Sequence, residues 1–196
     1  MKKVGITGGI GSGKTTVCKL FELLGIAVYY SDQEAKQILE NDSNVRAELL
    51  GVFGAEILNE SNKLDRKKIA AIVFSDTTKL AKLNAIVHPA VATHFEEWCK
   101  KQSSAYVLKE AAILFESGAY KQVDKTIVIT APKDLKIKRV MARDGATEAE
   151  ILKRMANQLP DEETIKLANF KIFNNEQDLL IPQVLIVHNQ ILESFR

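Results

Sequence analysis

The residues with the clearest chemical purpose fall within the first fifteen. Gly8-Gly9-Ile10-Gly11-Ser12-Gly13-Lys14-Thr15 fits the pattern G-x-x-x-x-G-K-[ST]. Glycines let a chain curl tightly with no Cβ intruding, so that successive backbone N–H groups can surround a polyphosphate. A helix beginning near Gly13 would add unpaired N–H donors and the positive end of its dipole. Lys14 would then reach the β- and γ-phosphates as a point charge, and the Thr15 hydroxyl would bind the Mg²⁺ that they carry.

The flanking residues suit this role. Residues 3–7 (Lys-Val-Gly-Ile-Thr) read as a short buried strand. After the loop, Val17, Leu20, Phe21 and Leu24 recur at helical spacing, and Gly25 stands where a C-cap belongs. Strand, glycine-rich loop, helix is the order a phosphate cradle needs. Residues 26–30 read as a second strand ending at Ser31-Asp32. Asp32 alone would be taken for the N-cap of a helix over 33–40. In a parallel α/β sheet, ligands sit at the carboxyl ends of strands. Asp32 is therefore also the first candidate to accept a proton from an attacking hydroxyl.

From residue 34 to 101 the pattern is helical. Caps are expected at Ser43, at Asp65 and at Ser75 or Asp76, with a break at His88-Pro89 before a last helix carrying Val91, Phe95 and Trp98. A βαβ unit needs one crossover helix, so the excess reads as an inserted substrate-binding region. By themselves Arg66 would be a solvated helix residue and His88 a loop or core histidine. Residues 105–108 read as the third strand, delivering Lys109-Glu110, with Glu110 where phosphate-loop proteins often place a magnesium-associated carboxylate. Residues 113–118 form a short turn or helix, 125–130 a fourth strand, and Pro132 opens a helix ending near Gly145. Arg139 and Arg143 share a face of that helix. Thr147-Glu148-Ala149-Glu150 is a capping box opening a further helix with Arg154 and Gln158. Such a basic helical pair suits a lid closing over transferring phosphates. Residues 170–173 give a fifth strand, and 176–194 a closing helix interrupted or restarted at Pro182.

Composition sets the frame. The 196 residues suit one α/β domain. A net charge of +2 gives no argument for a nucleic-acid partner. Cys18 and Cys99 lack metal-ligand spacing and read as reduced intracellular thiols. The apolar run after the N-terminal lysines is too short for a signal peptide, and no stretch suits a bilayer. A cytoplasmic protein without a membrane partner is expected, either a monomer or a weak homo-oligomer.

Taken in order, these positions resemble the dephospho-coenzyme A kinase family over nearly the whole chain. The residues that carry the resemblance are Thr7 to Lys14, Asp32, Leu64-Asp65-Arg66, Ile86-Val87-His88-Pro89, Leu114-Phe115-Glu116, Arg139 with Arg143, Gln158 and Asn174. The resemblance implies a phosphate-loop NTPase fold of the nucleotide-kinase type. This is a three-layer α/β sandwich with a five-stranded parallel sheet, a helical insertion and a helical lid. The single kinase domain would comprise a nucleotide core (1–31, 103–138, 168–196), a coenzyme A region (32–102) and a lid (139–167). The implied reaction moves the γ-phosphoryl group of ATP to the ribose 3′-hydroxyl of dephospho-coenzyme A, with Mg²⁺. Asp32, Lys14 and Arg139 would be the catalytic residues. Gly9, Gly11, Ser12, Gly13, Lys14, Thr15, Thr16, Arg139, Arg143 and Asn174 would bind ATP, with Asn174 near the base. Asp32, Arg66, His88, Glu110 and Leu114 would lie around the acceptor.

The chain departs from the family pattern in four places. Tyr30-Ser31-Asp32 stands where members often have Asp-Ala-Asp, so Asp32 lacks its acidic neighbour. Ala112 replaces a proline, Asn169 an aspartate, and Glu176 the glycine that follows the asparagines. The rival readings are a kinase of nucleotides or another small alcohol, a regulatory GTPase or nucleic-acid-associated ATPase, and an inactive nucleotide-binding module. Intact Lys14, Thr15 and Asp32 oppose the inactive module.

Overall fold

The computed structural model describes residues 1–74 and 76–196, without the side chain of Phe74. They divide into two compact units, Met1–Tyr30 with Lys101–Arg196, and Ser31–Lys100.

The first unit is built on β1 (Lys3–Thr7), β2 (Ala27–Tyr30), β3 (Val107–Glu110), β4 (Lys125–Thr130) and β5 (Phe170–Phe173). All pair in parallel in the order β2-β3-β1-β4-β5. Central parallel strands are covered on both faces, and they carry near-continuous aliphatic runs. Val4, Ile6, Leu108, Ile127, Ile129 and Ile172 are accordingly buried. Against them pack Val17 and Phe21 of α1 (Lys14–Leu23), and Val184, Val187 and Ile191 of α9 (Leu180–Ser194). Each such side chain contributes about 1.5–3 kcal/mol by leaving water.

Several boundaries differ from the sequence reading. β3 runs two residues further than expected, so Lys109 and Glu110 are buried strand residues. Inside this strand Lys109 Nζ donates to Gln122 Oε1 at 2.5 Å. α9 starts at Leu180 rather than 176 and runs unbroken through Pro182. The proline sits in the first turn, where its missing N–H would have had no intrahelical partner. Pro132 precedes α6 (Lys133–Asp144), which ends at Gly145 (φ 65°) as expected. The Thr147–Glu150 capping box is formed, at the head of α7 (Glu148–Met155). A further short helix, α8 (Asp161–Leu167), was not foreseen, and Gln158 lies in the link that precedes it.

The second unit is helical: α2 (Ser31–Asn41), α3 (Ser43–Phe53), α4 (Arg66–Phe74) and α5 (Thr77–Lys100). Asp32 lies inside the first turn of α2 rather than capping it. The cap of α3 is Asp42, not Ser43; its Oδ1 accepts from Asn44 N at 2.8 Å and Val45 N at 3.1 Å. Asp65 caps α4 as read, accepting from Lys67 N at 2.9 Å. Asp76 does the same for Thr78 N at 2.9 Å. The alternative cap Ser75 lies outside the described residues.

The expected break at His88-Pro89 does not occur, since Pro89 lies inside α5. A proline there removes the hydrogen bond to the carbonyl four residues earlier, on Ala85. Ala85 and Pro89 are both exposed, so water can serve that carbonyl. Val87, Val91, Phe95 and Cys99 hold the opposite face in the core.

Candidate active site

The loop from Gly8 to Gly13 turns β1 into α1. Three of its glycines are required by what lies behind them, Gly8 by the Ile129 carbonyl. Gly11 (φ 78°) backs onto the main chain of Lys136, and Gly13 (φ 94°) onto the Asn174 side-chain amide; a Cβ at either would collide. Lys14 Nζ donates to the Gly8 carbonyl at 2.7 Å, which folds the ammonium back over the loop. Thr15 and Thr16 are exposed in the first turn of α1. Ser12 is wholly buried, yet its Oγ has no hydrogen-bond partner among the described residues. An orphaned buried hydroxyl costs about 1–3 kcal/mol and calls for a missing partner. A phosphate oxygen seated in the loop is such a partner.

Distant parts of the chain hold the loop in shape. Arg139 of α6 donates to the Gly11 carbonyl at 3.3 Å, and to Asn174 O and Oδ1 at 3.2 and 3.1 Å. The Asn174 amide, 7% exposed, donates to the Ser12 carbonyl at 2.9 Å. Arg139 and Asn174 thus meet at the loop. Arg143 does not join them. It is exposed and donates to its neighbour Asp144 at 2.7 and 3.0 Å, a pairing that holds the Asp144 carboxyl below its usual range.

On the other side of the loop, Gln158 Oε1 accepts from Ile10 N at 2.9 Å, and Gln158 Nε2 donates to the Ala112 carbonyl at 3.1 Å. Beside it, buried Lys136 meets both Asp161 oxygens at 2.9 and 2.8 Å. Glu116 Oε1 accepts from Leu159 N at 2.9 Å. No site role was expected for Lys136, Asp161 or Glu116, and none was specified for Gln158. Lys136 left one readable trace: it lies next to Ile137 and four residues before Val140, on the buried stripe of α6. Its partner Asp161 is 25 residues away, beyond the reach of local patterns.

Glu110 ends β3, opposite Ile6 of β1 and Tyr30 of β2, beside the start of the loop. It is 9% exposed. Burial, followed by the Glu110 and Glu22 carboxylates, pushes the Cys18 thiol well above its ordinary range. Cys18 is thus an inert packing residue. Leu114, expected near the acceptor, is wholly buried over Gly5, where a Cβ would come within 2.6 Å of it. Its side chain has no exposed surface to offer a ligand, and its place is structural.

The remaining candidates belong to the helical unit. Asp32 is exposed, two residues past the end of β2. Arg66 opens α4, is exposed, and lies 3.7 Å from Glu40. His88 is exposed on α5. A groove of about 570 Å³ in this unit is lined by Glu40, Arg46, Lys63, Asp65, Arg66 and Lys67 among others. Four of these six are basic, which suits an anionic ligand.

A glycine-rich loop between a central parallel strand and a helix, with its lysine and threonine in place, defines a phosphate-loop nucleotide-binding fold. The family follows from comparison with known proteins. The model of the dephospho-CoA kinase family matches residues 2–179, and the chain belongs to that family. The dephospho-CoA kinase of Bacteroides fragilis (strain YCH46) is 39% identical over 184 residues, 93% of this chain and 89% of the relative. The crystal structure of TT1252 from Thermus thermophilus superposes with a TM-score of 0.85 at 32% identity, over 100% of this chain and 98% of that one. The dephospho-CoA kinase of Campylobacter jejuni does so with a TM-score of 0.71 at 28% identity, over 100% of both chains.

Proposed function

We infer that this member of the dephospho-CoA kinase family transfers the γ-phosphoryl group of ATP to the 3′-hydroxyl of dephospho-coenzyme A, giving coenzyme A and ADP. The observation that carries the reading is the family match over residues 2–179, on a chain whose phosphate loop is formed.

In this reading the loop amides, the N-terminus of α1 and Lys14 bind the phosphates and offset the charge that spreads over the transferring group. Lys14 exchanges the Gly8 carbonyl for phosphate oxygen, and Ser12 Oγ gains a partner. Thr15 would hold Mg²⁺, for a hydroxyl is the hard oxygen ligand that ion takes, along with phosphate and water. When bound, the ion neutralises phosphate charge. Asp32 accepts the proton of the 3′-hydroxyl as its oxygen bonds to the γ-phosphorus and the β–γ bridging oxygen departs with ADP. Asp32 does so without the acidic neighbour that members of the family often carry.

Residues 32–102 form the acceptor region, with Arg66 and His88 around dephospho-coenzyme A. Residues 139–167 form the lid that excludes water, on a nucleotide core of 1–31, 103–138 and 168–196. Arg139 contacts ATP from α6, and Arg143 joins it by leaving Asp144. No helix among the described residues is long and apolar enough to cross a membrane. The compartment we assign is the cytoplasm, where thiols such as Cys18 and Cys99 stay reduced.

The test is ADP release with ATP and Mg²⁺, comparing dephospho-coenzyme A with AMP, CMP and adenosine as acceptors. Turnover confined to dephospho-coenzyme A is expected. A preference for a mononucleotide would overturn the reading of residues 32–102 and leave the phosphate chemistry standing.

A further inference from the structure

Glu176 combines two features that have no part in the reading above. Its backbone is left-handed (φ 65°), a conformation that only one other described non-glycine residue, Asn62, adopts with positive φ. Its carboxylate Oε1 accepts from both Nε and Nη2 of Arg139, at 3.2 and 3.1 Å. The unfavourable conformation is imposed from both sides. Asn175 Oδ1 accepts from Gln177 N at 3.0 Å and Asp178 N at 2.8 Å, closing a turn around Glu176. Gln183 pins the preceding strand end, accepting from Phe173 N at 2.8 Å and donating to Phe173 O at 3.0 Å. Strain kept by so many local bonds points to a use for the side chain.

That use is visible in what Arg139 does with its remaining donors. Nη1 reaches the Gly11 carbonyl of the phosphate loop, while Nη2 reaches Asn174. Carbonyls alone leave a guanidinium free to turn about its long side chain. A carboxylate on the Nε edge fixes its plane, since Arg presents its donors as a rigid fork. We propose that Glu176 is a positioning residue for nucleotide binding: it orients the Arg139 guanidinium against the phosphate loop before ATP arrives. Glu176 itself touches no reacting atom. The proposal rests on the reading that Arg139 contacts ATP, and not on the identity of the acceptor.

The pair is partly exposed (side chains 23% and 60%), so its contribution is modest and sensitive to salt. Glu176→Gly is the informative variant, because glycine adopts φ 65° without strain and the fold is expected to survive with Tm near that of the parent. ATP affinity, measured by calorimetry without any acceptor, should weaken about two- to fivefold. The loss should shrink at high salt. KM for ATP should rise in step while kcat stays within about twofold. Glu176→Gln, which keeps an acceptor oxygen without the charge, should fall between parent and glycine variant. Unchanged ATP affinity in both variants would overturn the proposal. So would a fall in Tm that is not accompanied by a loss of ATP affinity. Because calorimetry needs no acceptor, an error in assigning dephospho-coenzyme A would leave this result untouched.

Discussion

The phosphate-loop unit and the helical unit hold their candidate residues in opposite ways. Around the loop, three contacts span long stretches of chain: Gln158 to Ile10, Arg139 to Gly11, Asn174 to Ser12. These side chains are buried or half-buried, and their hydrogen bonds leave them little freedom. In the helical unit, Asp32, Arg66 and His88 are exposed, and Arg66 stands across from Glu40 at 3.7 Å. Stability there comes from the helix caps and from the apolar faces of α3 and α5. One region is organised before its ligand arrives. The other presents its candidate side chains on the exposed surface of a helical scaffold. Pre-organisation suits the group that must hold phosphates in line, where misplacement costs rate directly.

Mutations should separate the two regions. The largest effect belongs to Lys14→Ala, with kcat/KM falling on the order of a thousandfold in the ADP-release assay. A loss below tenfold would remove Lys14 from phosphate positioning. Asp32→Asn should lower kcat about a hundredfold or more while KM for ATP stays near that of the parent. If KM rises and kcat holds, Asp32 binds and does not take the proton. Asp161→Ala strands the buried Lys136 ammonium, and chemical denaturation should show a loss of about 2–4 kcal/mol. By contrast, Arg66→Ala should change stability by less than about 0.5 kcal/mol, because its ion pair is exposed. Its effect should appear instead as a higher KM for dephospho-coenzyme A. A large loss of stability from Arg66→Ala would break the contrast between the units.

The smallest effect is a pH dependence within the phosphate-loop unit. His188 of α9 sits with Nδ1 2.9 Å from the Tyr106 hydroxyl, and burial lowers its pKa from the ordinary 6.5. Below that value the unfolded chain takes up a proton that the folded His188 still refuses, so stability declines as pH falls from about 6.5 toward the lowered value. Thermal melts across this window should show a shallower decline for His188→Gln.

Much of the phosphate loop was legible because its chemistry is local: glycines, lysine and threonine at fixed spacing between a strand and a helix. The parallel sheet was legible for a similar reason, since its strands are short aliphatic runs. What escaped was set by tertiary contact. Nothing near Lys109 and Glu110 says that a strand will carry two charges into the interior. Asp42 and Ser43 are both good caps, and backbone geometry chose between them. Pro89 reads as a helix breaker until Ala85 is found on the solvent side of a helix held by its other face. Arg143 looks equivalent to Arg139 by spacing, but Asp144 lies within reach of it and engages it. Leu114 belongs to a motif that resembles the family's, and its burial over Gly5 gives it a packing role.

The most direct test of the account is to locate the transferred phosphate. The enzyme would be incubated with ATP, Mg²⁺ and dephospho-coenzyme A, and the product analysed by phosphorus and proton NMR. Phosphate on the ribose 3′-oxygen, formed in step with ADP and lost in Asp32→Asn, is the predicted result. Phosphate on any other oxygen, or ADP released without a phosphorylated acceptor, would contradict it.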